Sequence, residues 1–221
     1  QHHNMNQTTY TEDSIQTLSS LEHIRKRSGM YIGRLGDGSH RDDGCYVMIK
    51  EVIDNSIDEW IMGFGRRIQV DVDVESKKVV IRDWGRGIPL GKLVSCVSTM
   101  NTGAKYNTDV FQFSVGLNGV GLKAVNALSN HFLIRSYRDG EVAEARFSRG
   151  ALLNESRTTS TEKNGTYVEF TIDTDIFKDY HFDTHIIREK IHMYAYLNRG
   201  LTMVYNGEKV VSKDGLLDLI Q

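Results

Sequence analysis

The chain has 221 residues, 39% hydrophobic and 25% charged, with 27 basic against 29 acidic side chains and a net charge of −2. This is the profile of a globular domain with a sizeable core, and the missing basic excess speaks against a module that grips nucleic acid by its phosphates. No apolar run approaches the roughly 20 residues of a membrane-spanning helix, Cys45 and Cys96 lack zinc or disulfide spacing, and the polar start has no signal-peptide core, so a cytoplasmic protein without a membrane partner is expected.

In chain order, residues 1–14 read as a polar arm, with a candidate tag remnant at 1–4, and residues 15–221 as one domain. Apolar spacing predicts helices near 17–27, 43–62, 91–100, 119–129, 183–197 and 214–220. Strands are expected near 68–74, 78–83, 131–138, 141–148, 166–172, 201–206 and 208–212. Ile68, Val70, Val72 and Val74 alternate with Gln69, Asp71 and Asp73, the mark of a half-buried strand. Asp139-Gly140 and Asn206-Gly207 read as hairpin turns, where both central residues must accept positive φ. Residues 149–164, rich in Ser, Thr and Asn, read as a surface loop. Arg25-Lys26-Arg27 and Arg66-Arg67 read as a solvated helix end and a turn. Hairpins beside separate helices predict an α+β fold, a two-layer sandwich whose mixed, mainly antiparallel sheet carries helices on one face.

Four local features can build a nucleotide site. On the helix around Glu51, Ile49, Ile53, Ile57 and Trp60 share one quadrant, while Glu51, Asn55 and Asp58 cluster opposite with Glu59 near their edge. A carboxylate one turn from a carboxamide suits a water-activating base beside a hard-cation ligand, although an ordinary solvated face has the same pattern. Next, Asp83-Trp84-Gly85-Arg86-Gly87-Ile88-Pro89 places a carboxylate able to accept from an exocyclic amine beside glycines that let backbone approach a flat ligand. A plain turn has that pattern too. Third, Gly116-Leu117-Asn118-Gly119-Val120-Gly121 feeds a helix whose free N–H groups and dipole suit phosphate oxygens. Its glycine order matches neither the Rossmann nor the P-loop fingerprint. Lys105, on the long loop before it, is either a point charge for phosphates or an ordinary solvated lysine. Last, Gly165-Thr166 opens a strand with a hydroxyl that can bond adenine, a commonplace pair by itself.

In that order, Asn55, Asp83-x-Gly85-x-Gly87, Gly116-x-x-Gly119-x-Gly121 and Gly165-Thr166 resemble the nucleotide-binding boxes of the GHKL (Bergerat-fold) ATPases. That superfamily includes the B subunits of gyrase and topoisomerase IV, Hsp90, MutL and the sensor histidine kinases. Three narrower segments are similar to those of bacterial type IIA topoisomerase B subunits: Arg25-Lys26-Arg27-Ser28-Gly29-Met30-Tyr31-Ile32-Gly33, Glu51-Val52-Ile53-Asp54-Asn55-Ser56-Ile57-Asp58-Glu59 and Val125-Asn126-Ala127-Leu128-Ser129. The likeness runs from about Tyr10 to Gln221.

The resemblance implies ATP and Mg²⁺ as ligands. Glu51 is then the general base, Asn55 the Mg²⁺ ligand, and Asp83, with Thr166 and a water, the reader of the adenine amine. Gly87, Ile88 and Pro89 wall the adenine pocket, and Arg86 pairs with Glu59 across its mouth. Lys105 and the loop Gly116, Leu117, Asn118, Gly119, Val120 and Gly121 hold the phosphates. Arg138 matches a rim arginine at which coumarin-type, ATP-competitive inhibitors bind. Tyr10 stands on the arm that reaches the other subunit's nucleotide in an ATP-closed homodimer.

The implied function is ATP binding and hydrolysis that drives dimer-gate closure in a type II DNA topoisomerase. The topoisomerase A subunit and DNA would be engaged through regions outside this chain, which alone should be monomeric and hydrolyse ATP slowly. Gly44-Cys45-Tyr46-Val47-Met48-Ile49-Lys50 lacks the LHH common in gyrases and favours topoisomerase IV over gyrase. The alternatives are a clamp of MutL or Hsp90 type, opposed by segment 30–33 and Tyr10, and a nucleotide-sensing dimerisation module without turnover, opposed by Glu51. Three departures stand out. Trp84 replaces the family's usual Asp or Asn and is expected to point away from adenine, Ser28 replaces a proline, and Phe111-Gln112 and Asn118 replace the Tyr-Lys and His of many gyrases.

Overall fold

The structure, a computed structural model, describes residues 21–99 and 120–220. Residues 21–26 form helix α1, followed by the short α2 (Ser28–Ile32) and the long α3 (Gly44–Ile61). Strands β1 (Arg67–Val72) and β2 (Val79–Asp83) lead through a 3-10 turn (Leu90–Lys92) into α4 (Leu93–Ser98). Then come α5 (Gly121–Ala127), β3 (Ser129–Arg138), β4 (Glu141–Ser148), β5 (Ala151–Thr159) and β6 (Gly165–Ile172). The described chain closes with α6 (Thr184–Leu197), β7 (Thr202–Tyr205), β8 (Glu208–Val211) and α7 (Leu216–Leu219).

The eight strands form one sheet in the order β5-β4-β3-β6-β2-β1-β7-β8. Among the described pairings β1 with β7 is parallel and the others are antiparallel, so the expected mixed, mainly antiparallel α+β sandwich is what forms. Strand alternation sends Ile68, Val70, Ile81, Phe132, Ile134, Val168 and Phe170 to one face, where they join Met48, Val52, Ile53, Val125 and Ile191 of the helices in a single core. No helix among the described residues is long and apolar enough to cross a membrane.

Two sequence expectations need correction. Residues 149–164 are not a loop, because 151–159 form β5, paired with β4 across the positive-φ turn Arg149-Gly150. All nine residues of β5 are exposed, since it is the edge strand at the far end of the sheet and lacks a buried face. A strand solvated on both sides carries no hydrophobic alternation to read. The strand expected at 68–74 stops at Val72, where the Asp73 carboxylate accepts the N–H groups of Glu75 and Ser76 and turns the chain.

Candidate nucleotide site

Asp83 ends β2 with its side chain turned inward and 2% exposed. One carboxylate oxygen accepts the N–H groups of Gly85 (3.0 Å) and Thr166 (3.1 Å). The other accepts the hydroxyls of Ser56 on α3 (2.7 Å) and Thr166 on β6 (2.5 Å). Four donors from three elements match the lone-pair capacity of a carboxylate and fix its orientation. Beyond it the chain needs glycine at position 87, where φ is +78° and a Cβ would meet the Tyr137 carbonyl at 2.7 Å. Ser136 Oγ accepts the Ile88 N–H (2.8 Å) and donates to the Ile88 carbonyl (2.6 Å), pinning the segment that leads to Pro89.

Arg86 turns back to α3. Its Nε donates to Glu59 Oε2 at 3.0 Å and its guanidinium lies 4.4 Å from the Phe64 ring centre. Burial pushes the Glu59 carboxyl up, Arg86 opposes that, and the net shift is upward. Arg138 Nη1 donates to the Gly87 carbonyl at 3.4 Å, which places it beside the same segment. Trp84, at the strand phase opposite Asp83, lies against the guanidinium groups of Arg82 (4.6 Å) and Arg67 (5.2 Å).

Glu51 sits on α3 facing the first residue of α5: a Cβ on Gly121 would lie 2.5 Å from Glu51 Oε2. Burial is the main cause raising its carboxyl above the usual range; Lys50 opposes the shift and Asp54 adds to it. One turn on, Asn55 Nδ2 donates to the Glu51 carbonyl at 2.8 Å, so its Oδ1 points away from that carbonyl. Asn55 and Glu59 are 9% and 1% exposed, and Glu51 and Asp58 are half-buried, so this side of α3 is not an ordinary solvated face. Among the described residues no three His, Cys, Asp or Glu side chains gather as a metal cluster.

The basic triplet at 25–27 is likewise not only a solvated helix end. Arg25 donates to the Ala127 carbonyl (2.8 Å) at the end of α5 and to the buried Asp173 (2.8 Å), which Arg149 also reaches at 3.1 Å. This network anchors the C-terminal end of the helix whose other end faces Glu51.

Tyr10, Lys105, Gly116, Leu117, Asn118 and Gly119 lie outside the described residues; Val120 and Gly121 lie at the entry to α5. Ser56 and Ser136 escaped the sequence reading. A signal existed for Ser136, a hydroxyl at the core-facing phase of β3, where a buried polar group must find a partner. Ser56 has no such mark beside Asn55.

Residues 40–176 match the family of histidine kinase-, DNA gyrase B- and HSP90-like ATPases. The chain belongs to that ATPase family. The matched span of this ATPase chain includes Glu51, Asn55, Asp83, Gly121 and Thr166. It is 58% identical over 216 residues to the B subunit of DNA topoisomerase 4 from Borreliella burgdorferi, covering 98% of this chain and 36% of that protein. It is 35% identical over 219 residues to the B subunit of DNA gyrase from Synechocystis sp., covering 94% and 20%. The 43K ATPase domain of Thermus thermophilus gyrase B, solved in complex with an aminocoumarin, has the same fold at a TM-score of 0.76 and 28% identity, over 93% of this chain and 55% of that one. The ATPase chain thus spans 36% or less of the length of the topoisomerase 4 and gyrase relatives.

Proposed function

We propose that the chain binds ATP between α3, residues 83–89 and the start of α5, and hydrolyses it as the ATPase domain of a type II topoisomerase of the topoisomerase IV kind. What carries this is one geometry, a four-donor carboxylate (Asp83) held by Ser56 in the middle of α3 and, five residues earlier on the same helix, a burial-raised carboxylate (Glu51) against the first residue of α5. The 58% identity to a topoisomerase 4 protein, against 35% to a gyrase protein, supports that kind over gyrase.

In this reading the Thr166 hydroxyl rotates off Asp83 to open an acceptor position, so that Asp83 and Thr166 take the adenine amine between them, and Gly87, Ile88 and Pro89 wall the base. The Arg86–Glu59 pair closes the pocket edge, and Arg138 stands at its rim, where an aminocoumarin would compete. Val120 and Gly121, with Gly116, Leu117, Asn118, Gly119 and Lys105, hold the phosphates. Glu51 takes a proton from water as the water oxygen bonds to the γ-phosphorus; the bond from that phosphorus to the β–γ bridging oxygen breaks, and ADP leaves. Asn55 fits a Mg²⁺ ion that completes its shell with phosphates and water, because its Oδ1 is turned away from the helix backbone. When bound, Mg²⁺ would neutralise phosphate charge. Tyr10 would join a second subunit's site in an ATP-dependent homodimer, with DNA and the topoisomerase A subunit engaged by other parts of the protein.

The test is Glu51→Gln in the intact subunit, with ATP turnover and binding of a non-hydrolysable analogue measured together. Binding should persist and hydrolysis vanish. Surviving turnover would remove Glu51 from the base role.

A further inference from the structure

We propose that Arg82 is a positioning residue for the base end of the site, a clamp on the outer face of the sheet that holds Asp83 and Thr166 in register from behind. The proposal rests on the ATP-binding reading above and concerns what keeps that pocket in shape.

The β2–β6 ladder ends at the pair Arg82 with Tyr167. Past that pair the two strands still must hold Asp83 opposite Gly165-Thr166, and side chains do it on both faces. Inside, the Asp83 carboxylate accepts the Thr166 N–H and hydroxyl. Outside, the Arg82 guanidinium donates through Nη1 to the Asp83 carbonyl and through Nη2 to the Lys163 carbonyl at 2.7 Å. A planar fork suits two carbonyls on separate segments; the point charge of lysine does not. Arg82 is 8% exposed, with the rings of Trp84 and Tyr137 at 4.6 Å and 4.7 Å from its central carbon. Gly165 completes the joint, because a Cβ there would collide with the Asp83 carbonyl and the Arg82 side chain. Trp84 therefore has a task of its own: it supplies one of the two rings that hold the clamp flat.

The experiment is calorimetric titration of the chain with a non-hydrolysable ATP analogue and Mg²⁺, on wild type, Arg82→Met, Arg82→Lys, Thr166→Val and the double variant Arg82→Met/Thr166→Val, with thermal unfolding alongside. Methionine keeps the stem between the rings and removes the fork. The expected result is roughly a five- to tenfold loss of affinity for Arg82→Met, the scale of one hydrogen-bonded contact. Lysine should not restore it, and the double variant should lose clearly less than the product of the single losses, because both act on one joint. If Arg82→Met is unfolded, Arg82→Lys carries the comparison. Wild-type affinity in a variant with a lowered melting temperature would mean that the residue serves stability alone, and losses that multiply would place its action elsewhere; either result overturns the clamp. A wild type that binds no analogue would overturn the ATP-binding reading, and the clamp with it.

Discussion

Replacing Gly121 with alanine separates the placement of Glu51 from its chemistry. The new Cβ would lie 2.5 Å from Glu51 Oε2, where ordinary contact begins at 3.4 Å, so the oxygen must retreat by about 0.9 Å. The obstructing atom ends a flexible side chain, and Gly121 opens α5 without a left-handed φ, so the fold can absorb the change. Alanine over glycine in a helix is worth at most about 1 kcal/mol, so the melting temperature should hold or rise. Displacing a catalytic group by about 1 Å costs on the order of a hundredfold in rate, about 2.7 kcal/mol of barrier. In the intact subunit, kcat for ATP should therefore fall about a hundredfold, with analogue affinity changed only a few-fold. An unchanged kcat in the alanine variant would refute the placement of Glu51 as the working base at this position.

Three further outcomes follow. Asp83→Asn puts two N–H donors beside donors and should weaken the ATP analogue by about 1–3 kcal/mol in a calorimetric titration; stability should change little, because the Ser56 and Thr166 hydroxyls can rotate to accept. Burial raises the Glu51 carboxyl, and the base acts only when ionised, so kcat should rise with pH through a value above the ordinary glutamate pKa of about 4.3, read from a pH–rate profile of the intact subunit. At Asp173, burial pushes the carboxyl up, but the Asp175 N–H, Arg25 and Arg149 outweigh it and the net shift is downward. Its stabilising contribution is then present above the unfolded pKa of about 3.9 and lost as pH falls through the lower folded value, so in urea unfolding Asp173→Asn should be destabilised by about 1–3 kcal/mol at pH 7 and by less near pH 3.

Where periodicity reports burial, the chain was readable: β1 alternates, and the hairpin turns at Asp139-Gly140 and Asn206-Gly207 both take positive φ. It failed where a strand has no buried face, as in β5, and where a polar face is itself buried, as at Asn55 and Glu59 of α3. Asp83 and Thr166 stood out because glycines flank them, and the structure joins them directly. The partners that complete the joint did not stand out. Ser56 and Arg82 are ordinary residue types whose contacts lie across the sheet or on a packed helix, and Arg25 looked like one more surface cation until its carbonyl and carboxylate partners were in place. Long-range pairing of this sort leaves no local spacing to detect.

The most direct test of the central claim is calorimetric titration of the chain with a non-hydrolysable ATP analogue and Mg²⁺, using a GTP analogue as control. One adenine-selective site per chain is the predicted result, competed by an aminocoumarin. No binding by either the nucleotide or the coumarin would contradict the claim that residues 83–89, α3 and α5 enclose a nucleotide.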